Sequence, residues 1–373
     1  MLSYMSSKSK YLLISVAVSL IVISLPFLVS CTEQIGDESS ELDELRVTSS
    51  DNVVMVAVGD VMLSRQVGEI IRITGDPKAP FLKTAEILEE ADITFCNLES
   101  PFYDEEPPIE GEMVFGADPE TIEGLKYAGF DIVSLANNHF GDQGVAGMNF
   151  TLSHLNKNEI EFIGAGESEV KAREPRIIER NGVKFAFLGY NDTQSAIRKG
   201  YAATSEKPGV AVLTKENLTQ DIKRAKQRAH VVIVSIHWGI EYEELPTERQ
   251  RTFAHLAIDS GASLVLGHHP HVIQPLEEYK DGYIFYSLGN FVFDQMWSEE
   301  TRKGLIAEII FEGGQIKEIE TMEVVIYDSY QPCPVFPYAS GFPCQQELFK
   351  LYSNNSVMKR IHTFIGMRNR NTL

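Results

Sequence analysis

Residues 53–60 read VVMVAVGD, an unbroken apolar run that ends in Gly59-Asp60. Runs of this kind, without polar alternation, are typical of strands buried on both faces of a sheet. Similar runs alternate with amphipathic segments along the chain, which predicts an α/β fold. The predicted strands are 53–58, 93–97, 132–136, 162–164, 184–189, 231–237, 264–267 and 283–288. The predicted helices are 81–90, 119–128, 145–157, 215–228 and 247–260.

The end of the chain, from residue 305 onward, predicts a different arrangement of secondary structure. Two apolar segments, 305–311 and 316–326, flank Gly313-Gly314, a pattern typical of a β-hairpin. A Pro-rich stretch from Gln331 to Cys344 predicts a loop, and 345–367 predicts a helical tail. The folded domain is therefore placed at 53–327, followed by a loop and tail at 328–373.

Polar side chains and histidines gather where the predicted strands end. The strand-end segments are Gly59-Asp60, Asn97-Leu98-Glu99, Asn137-Asn138-His139, His237-Trp238-Gly239 and Gly267-His268-His269-Pro270-His271. The carboxyl ends of strands in an open α/β sheet meet at a ligand crevice, so these groups can lie close together. Carboxylate, amide and imidazole donors in one place suit a divalent metal, held as one ion or as two that share a carboxylate.

Each segment alone has a simpler interpretation. Asp60 after a glycine suits a turn or a helix cap, the paired asparagines suit a turn, and a lone His237 suits a packed core position. The three histidines within residues 268–271 have no such packing rationale, because imidazole is costly to bury unpaired. The joint pattern therefore favours a metal site.

These segments, together with Ser287-Leu288-Gly289-Asn290-Phe291, resemble the CapA (PgsA-type) capsule-synthesis family, which is similar in fold to the calcineurin-like metallophosphoesterases. The resemblance covers about residues 53–293. It implies a metallophosphoesterase-like β-sandwich flanked by helices. It also implies an extracytoplasmic, membrane-attached protein that makes or exports poly-γ-glutamate or a capsular polymer, as a partner of a membrane polymer synthase.

The resemblance also implies roles for individual residues. The positions that match metal ligands are Asp60, Glu99 as the bridging carboxylate, Asn138, His237, His271, and either His268 or His269. His139 matches the histidine that assists the leaving group, beside Asn138. Two departures matter. The pattern has a histidine two positions after the first aspartate, where this chain has Met62, and the late motif carries an extra histidine, so His268 could replace His269 as ligand. The site is therefore expected to hold one or two ions of Mn, Zn or Fe.

The N-terminus predicts export. Lys8 and Lys10 precede an uncharged apolar segment that ends in Leu28-Val29-Ser30-Cys31, which resembles a lipobox. This predicts a signal peptide at 1–30, cleavage before Cys31, and a lipid anchor on its sulfur. The alternative is an uncleaved membrane anchor, since about 20 apolar residues nearly span a bilayer. Both kinds of anchor place the folded domain outside the cytoplasm, joined to the membrane by an acidic tether at 31–52.

The composition of the chain limits which molecules it can bind. The chain has 373 residues and a formal net charge of −20, which repels nucleic acid, so no nucleic-acid partner is expected. An anionic polymer substrate would need a bridging cation. In an oxidising compartment, Cys333 and Cys344 can pair in a disulfide or remain free.

Three functions remain open on the sequence. The first is capsule or poly-γ-glutamate synthesis through a metal centre. The second is a metal-dependent extracellular hydrolase of metallophosphoesterase type, unrelated to capsule. The third is a non-catalytic polymer-binding partner in an assembly.

Overall fold

The computed structural model describes residues 52–104, 108–109, 111 and 113–335. The predicted signal segment, Cys31, Cys344 and the helical tail lie outside these residues and stay predictions, as does the tether, of which only Asn52 is described. Among the described residues, no helix is both long enough and apolar enough to cross a membrane.

The strands and helices follow one another in an alternating order. The strands are β1 (Val53–Val61), β2 (Ile93–Leu98), β3 (Ile132–Ser134), β4 (Glu161–Ile163), β5 (Ala165–Gly166), β6 (Arg176–Arg180), β7 (Val183–Asn191), β8 (Gly209–Val210), β9 (Val231–His237), β10 (Leu264–His268), β11 (Ile273–Tyr279), β12 (Gly282–Leu288), β13 (Asn290–Val292), β14 (Lys303–Glu312), β15 (Gln315–Tyr327) and β16 (Gln331–Pro334). The helices are α1 (Arg65–Thr74), α2 (Ala85–Glu89), α3 (Ile122–Tyr127), α4 (Gly144–Lys157), α5 (Glu169–Ala172), α6 (Gln194–Arg198), α7 (Lys215–Lys226) and α8 (Glu248–Asp259). Short 3-10 turns lie at Ala79–Phe81, Pro119–Thr121 and Glu300–Arg302.

The strands form two large mixed sheets. The first has the order β16-β15-β14-β1-β2-β3-β4, with β13 beside the end of β1, and the second has the order β11-β12-β10-β9-β7-β6. Strands β1 to β4 run parallel in the first sheet. Strands β7, β9, β10 and β12 run parallel in the second. The carboxyl ends of β1, β2 and β3 therefore share one edge, and those of β9 and β10 share another.

The two sheets pack face to face through a core of large apolar side chains. Met55 and Phe95 of the first sheet belong to one cluster with Phe187, Ile233 and Phe285 of the second. The rings of Phe95 and Phe187 stack across the interface at 6.3 Å between centroids. The continuous apolar runs of β1 and β9 follow from this position, because strands covered on both faces have no solvent side.

Helices cover the outer face of each sheet. Val67 of α1 and Leu152 of α4 pack in the cluster on the first sheet. Leu218 of α7 and Phe253 of α8 pack in the cluster on the second. The predicted β-sandwich flanked by helices is thereby confirmed, and so is the C-terminal hairpin, formed by β14 and β15.

The chain differs from the sequence prediction in several places. Strands β5, β6, β8, β11 and β13 and helices α5 and α6 were not predicted, and the helix predicted at 81–90 is shorter, at Ala85–Glu89. Residues Gln331–Pro334, predicted as the start of a Pro-rich loop, form β16 because β15 is long enough to offer them an edge for pairing. Helix α1 was not predicted, although Val67, Ile70 and Ile71 form its buried face. Cys333 is disulfide-bonded; its pairing with Cys344 stays a prediction because Cys344 is not described.

Candidate metal centre

The predicted donors lie together at the carboxyl ends of strands from both sheets. Asp60 lies at the end of β1, Glu99 directly follows β2, and His237 ends β9. His269 and His271 lie in the turn after β10, where both adopt positive φ angles of 95° and 57°. All five side chains are buried. These residues are far apart in the chain but lie together in one crevice, where the pattern of strand ends predicted them.

One donor group contains Asp60, Glu99 and His271, with ligand atoms within 4.8 Å of one another. Nδ1 of His271 lies 3.3 Å from Oδ2 of Asp60. Nε2 of the same ring lies 3.7 Å from Oε1 of Glu99. Asn290 fixes this ring, since its Oδ1 lies 2.9 Å from Nδ1.

A second donor group contains Glu99, His237 and His269. Nε2 of His237 lies 3.7 Å from Oε1 of Glu99 and 2.7 Å from Oδ1 of Asn138. The rings of His237 and His269 are 4.6 Å apart between centroids. Glu99 is common to both groups, which is the position that the sequence predicted for a bridging carboxylate.

Unpaired buried atoms test whether these residues fit a cation. Oε1 of Glu99 and Nδ1 of His269 are buried and make no hydrogen bond. Oε1 faces ring nitrogens of His139, His237 and His271 at 4.0, 3.7 and 3.7 Å, too far for hydrogen bonds. Two ligands at about 2.1 Å from one ion lie roughly 3.0–3.6 Å apart, close to the observed spacing. The donor set therefore fits a divalent ion.

Burial and neighbouring charges shift the pKa values of the cluster. Burial would raise the pKa of Asp60, but the adjacent imidazoles of His268 and His271 hold it well below its usual value. Burial opposes the shift of His271, whose pKa Glu99 and Asp60 raise to about 9, so this ring must lose a proton to bind a metal. Burial and the charge of Asp60 raise the pKa of Glu99 well above its usual value. Burial lowers the pKa of His269 to about 3, so this imidazole is neutral and free to bind a metal.

The structure separates the two adjacent histidines. His269 belongs to the second donor group, whereas His268 ends β10 and belongs to none of the groups found in the described residues. Nδ1 of His268 lies 3.3 Å from Oδ1 of Asp60, and its ring packs against Phe95. The geometry therefore favours His269 as the ligand and places the ring of His268 beside the Asp60 carboxylate.

His139 is held in one orientation beside the donors. Its Nδ1 lies 2.6 Å from Oδ2 of Asp142, and its ring stacks on Phe115 at 3.7 Å between centroids. Asp142 also accepts hydrogen bonds from Lys199 at 3.3 Å and from Tyr201 at 3.1 Å. Burial lowers the pKa of His139, while Asp142 opposes that shift. With Nδ1 engaged, Nε2 faces the cluster, where it can take up or release a proton.

Several site residues were not predicted from the sequence. Asp142 follows His139 by three positions in a turn, a spacing with no distinctive pattern. Asn97 was named only as part of a motif, yet its amide donates to Oδ1 of Asp60 at 2.8 Å. Glu241, in the loop after β9, forms a further group with His269 and His271.

Gly59 permits the close approach that positions Asp60. A Cβ atom on Gly59 would lie 2.0 Å from the carbonyl oxygen of Gly289, which accepts a hydrogen bond from the Asp60 amide at 3.0 Å. We expect Gly59→Ala to lower the free energy of unfolding by about 1–3 kcal/mol, because the backbones must separate. Urea unfolding of the two proteins measures the difference, and an unchanged midpoint would contradict the close-contact argument.

Two sheets packed between helices, with a shared carboxylate and histidines at the carboxyl ends of parallel strands, define an α/β sandwich with a candidate metal centre. The chain belongs to the family of bacterial capsule synthesis proteins described as PGA_cap, whose model matches residues 54–295. This range contains every predicted ligand.

Two bacterial relatives agree with the family assignment. The chain is 36% identical over 265 residues to the capsule biosynthesis protein CapA of Bacillus anthracis, covering 69% of this chain and 64% of that protein. It is 35% identical over 292 residues to the PGA biosynthesis protein CapA of Bacillus subtilis strain 168, covering 77% and 75%. The structure is similar to the NAD nucleotidase of Haemophilus influenzae, with a TM-score of 0.44 and 9% identity over 86% of this chain and 68% of that chain.

Proposed function

We propose that this protein acts in the synthesis or export of a capsular polymer such as poly-γ-glutamate, and that it does so through a divalent-metal centre. The observation that carries the proposal is the pair of donor groups sharing Glu99, within the region that matches the capsule-synthesis family. The names of the two Bacillus relatives support the polymer class.

The proposed location is outside the cytoplasm, attached to the membrane. Its support is the N-terminal sequence, in which the apolar segment ends at Cys31. There the protein would work beside a membrane polymer synthase. An acidic protein repels an anionic polymer, so a bound cation would also help to retain the substrate.

The chemistry proposed for the site is hydrolysis or transfer at a phosphoester, ester or amide linkage. A Mn, Zn or Fe ion, when bound, supplies Lewis acidity and lowers the pKa of water. Asp142 orients His139, whose Nε2 faces the donors and can deliver a proton to a leaving group. The buried walls around Glu99 exclude bulk water, which strengthens each electrostatic contact.

A non-catalytic role in assembly is the second candidate. It is favoured by Met62, which stands where the resembled ligand pattern has a histidine and whose thioether is a weak donor for a hard ion such as Mn²⁺. Such a role would need the bound ion but not His139. A hydrolase unrelated to capsule would need both the bound ion and His139. Loss of that activity would leave the surface polymer unchanged.

Complementation of a strain that lacks the gene separates these candidates. Wild type and the control Asp259→Asn, an exposed residue paired with Lys280, should restore surface polymer. Asp60→Asn should not, because it replaces an anionic donor of the first group with a neutral amide. Loss of polymer in His139→Gln supports chemistry at the site, whereas normal polymer in that variant supports the assembly role. Normal polymer in the deletion strain would overturn the capsule function.

A further inference from the structure

The loop after β9 carries a carboxylate to the open side of the donor cluster. Glu241 is partly exposed, whereas Asp60, Glu99, His269 and His271 are buried. An oxygen of Glu241 and ring nitrogens of His269 and His271 lie within 4.8 Å of one another. A third group of possible ligands is thus formed at the solvent side of the two groups that share Glu99.

The position of Glu241 is fixed by contacts on its C-terminal side. The amide of Tyr242 donates to the carbonyl oxygen of Pro270 at 2.8 Å, which ties the loop to the histidine turn. The side chain of Gln274 donates to the carbonyl oxygen of Glu243 at 2.7 Å. Tyr242 has a positive φ of 68°, an uncommon conformation for a bulky residue. The backbone is therefore held in a strained shape that presents Glu241 to the histidines.

The first donor group provides three side chains, Asp60, Glu99 and His271, and Glu99 is shared with the second group. The buried sulfur of Met62 accepts a hydrogen bond from the Ser64 amide at 3.1 Å, and a thioether is a soft ligand that suits Cu(I) better than Mn²⁺. Glu241 lies within reach of His271 of the first group and of His269 of the second. A carboxylate there would add a hard donor beside both groups.

We propose that Glu241 is a metal ligand, which closes the cluster from the solvent side, beside His269 and His271. The inference rests on the metal centre of the proposed function. Glu241 adds a carboxylate oxygen to the two imidazoles of His269 and His271. Oxygen-rich ligand sets suit Mn²⁺ better than imidazole-rich sets do. Glu241 therefore also biases the site toward Mn²⁺ over Zn²⁺.

Glu241→Gln tests this, with Glu244→Gln as a matched control. Both residues lie in the same loop and both changes remove one negative charge, but Glu244 is exposed and belongs to none of the three donor groups. Mn²⁺ is titrated into the full-length protein in detergent, and free Mn²⁺ is measured by electron paramagnetic resonance. We expect Glu241→Gln to weaken binding at least about tenfold, the range typical of altered metal-site residues, and the control to bind as wild type does.

Competition between metals sharpens the outcome. Glu241→Gln should shift the Mn²⁺-to-Zn²⁺ affinity ratio toward Zn²⁺, because it removes the carboxylate and leaves the two imidazoles. Equal weakening in Glu241→Gln and Glu244→Gln, or none in either, would overturn the ligand role while leaving the metal centre intact. A wild type that binds no ion would overturn both. Should Glu241→Gln fail to fold, Glu241→Asp keeps the charge, and its shorter reach should still weaken binding.

Discussion

Glu99→Gln is expected to remove stoichiometric metal from the whole site, because Oε1 of this one residue belongs to both buried donor groups. A glutamine keeps the size of the side chain but replaces the anionic oxygen with a neutral one. Changes in residues that only support ligands commonly cost about 10- to 100-fold in metal affinity, and the loss of a shared ligand should exceed this.

Two further variants show whether the groups are separate. His269→Ala leaves Asp60, Glu99 and His271 in place, whereas His271→Ala leaves Glu99, His237 and His269. Elemental analysis after reconstitution should give partial metal content for each of these and almost none for Glu99→Gln. Equal metal content in wild type and Glu99→Gln would contradict the bridging role.

Folding must be measured alongside metal content. Glu99 is fully buried and its Oε1 makes no hydrogen bond, so a neutral side chain should not unfold the metal-free protein. Thermal unfolding followed by circular dichroism should give similar midpoints for the metal-free wild type and Glu99→Gln. A low metal content with an intact fold then reports on the site alone. Exposed Glu123→Gln is the control for loss of one negative charge.

The sequence predicted the architecture and most of the site because both follow from one rule. Apolar runs such as that of β1 indicate buried strands, and polar residues at their carboxyl ends meet in one crevice. Asp60, Glu99 and His237 were found in this way. The rule assigns residues to a strand end but says nothing about side-chain direction, so it left open whether His268 replaces His269 as the ligand.

Residues that lie in loops escaped prediction for a physical reason. Glu241 reaches His269 and His271 only because the amide of Tyr242 binds the carbonyl of Pro270, a contact between segments far apart in the chain. Asp142 lies in a turn, and its carboxylate accepts hydrogen bonds from the amide of Phe115 and the hydroxyl of Tyr201, which are distant in the chain. Helix α1 is different, since its apolar spacing was present in the sequence and could have been recognised.

The second large effect is expected far from the donors, at Asp221 on α7. This carboxylate is fully buried and accepts two hydrogen bonds from Arg173, at 2.8 and 2.9 Å, and one from the hydroxyl of Tyr190 at 2.8 Å. Arg224 pairs with it as well. These contacts join α5, α7 and β7 on the outer face of the second sheet. Asp221→Ala would leave a largely buried guanidinium and a buried hydroxyl without their acceptor.

We expect Asp221→Ala to lower the free energy of unfolding by about 3–5 kcal/mol, since breaking one side of a buried ion pair leaves an uncompensated charge. The exposed pair of Glu123 and Lys126, 3.0 Å apart, provides the comparison, and Glu123→Ala should cost less than about 1 kcal/mol. Urea unfolding measures both. The folded fraction of Asp221→Ala should still bind metal as wild type does, because none of the three donor groups includes Asp221. A loss below about 1 kcal/mol would show that water replaces the missing carboxylate and that Asp221 does not anchor the helices.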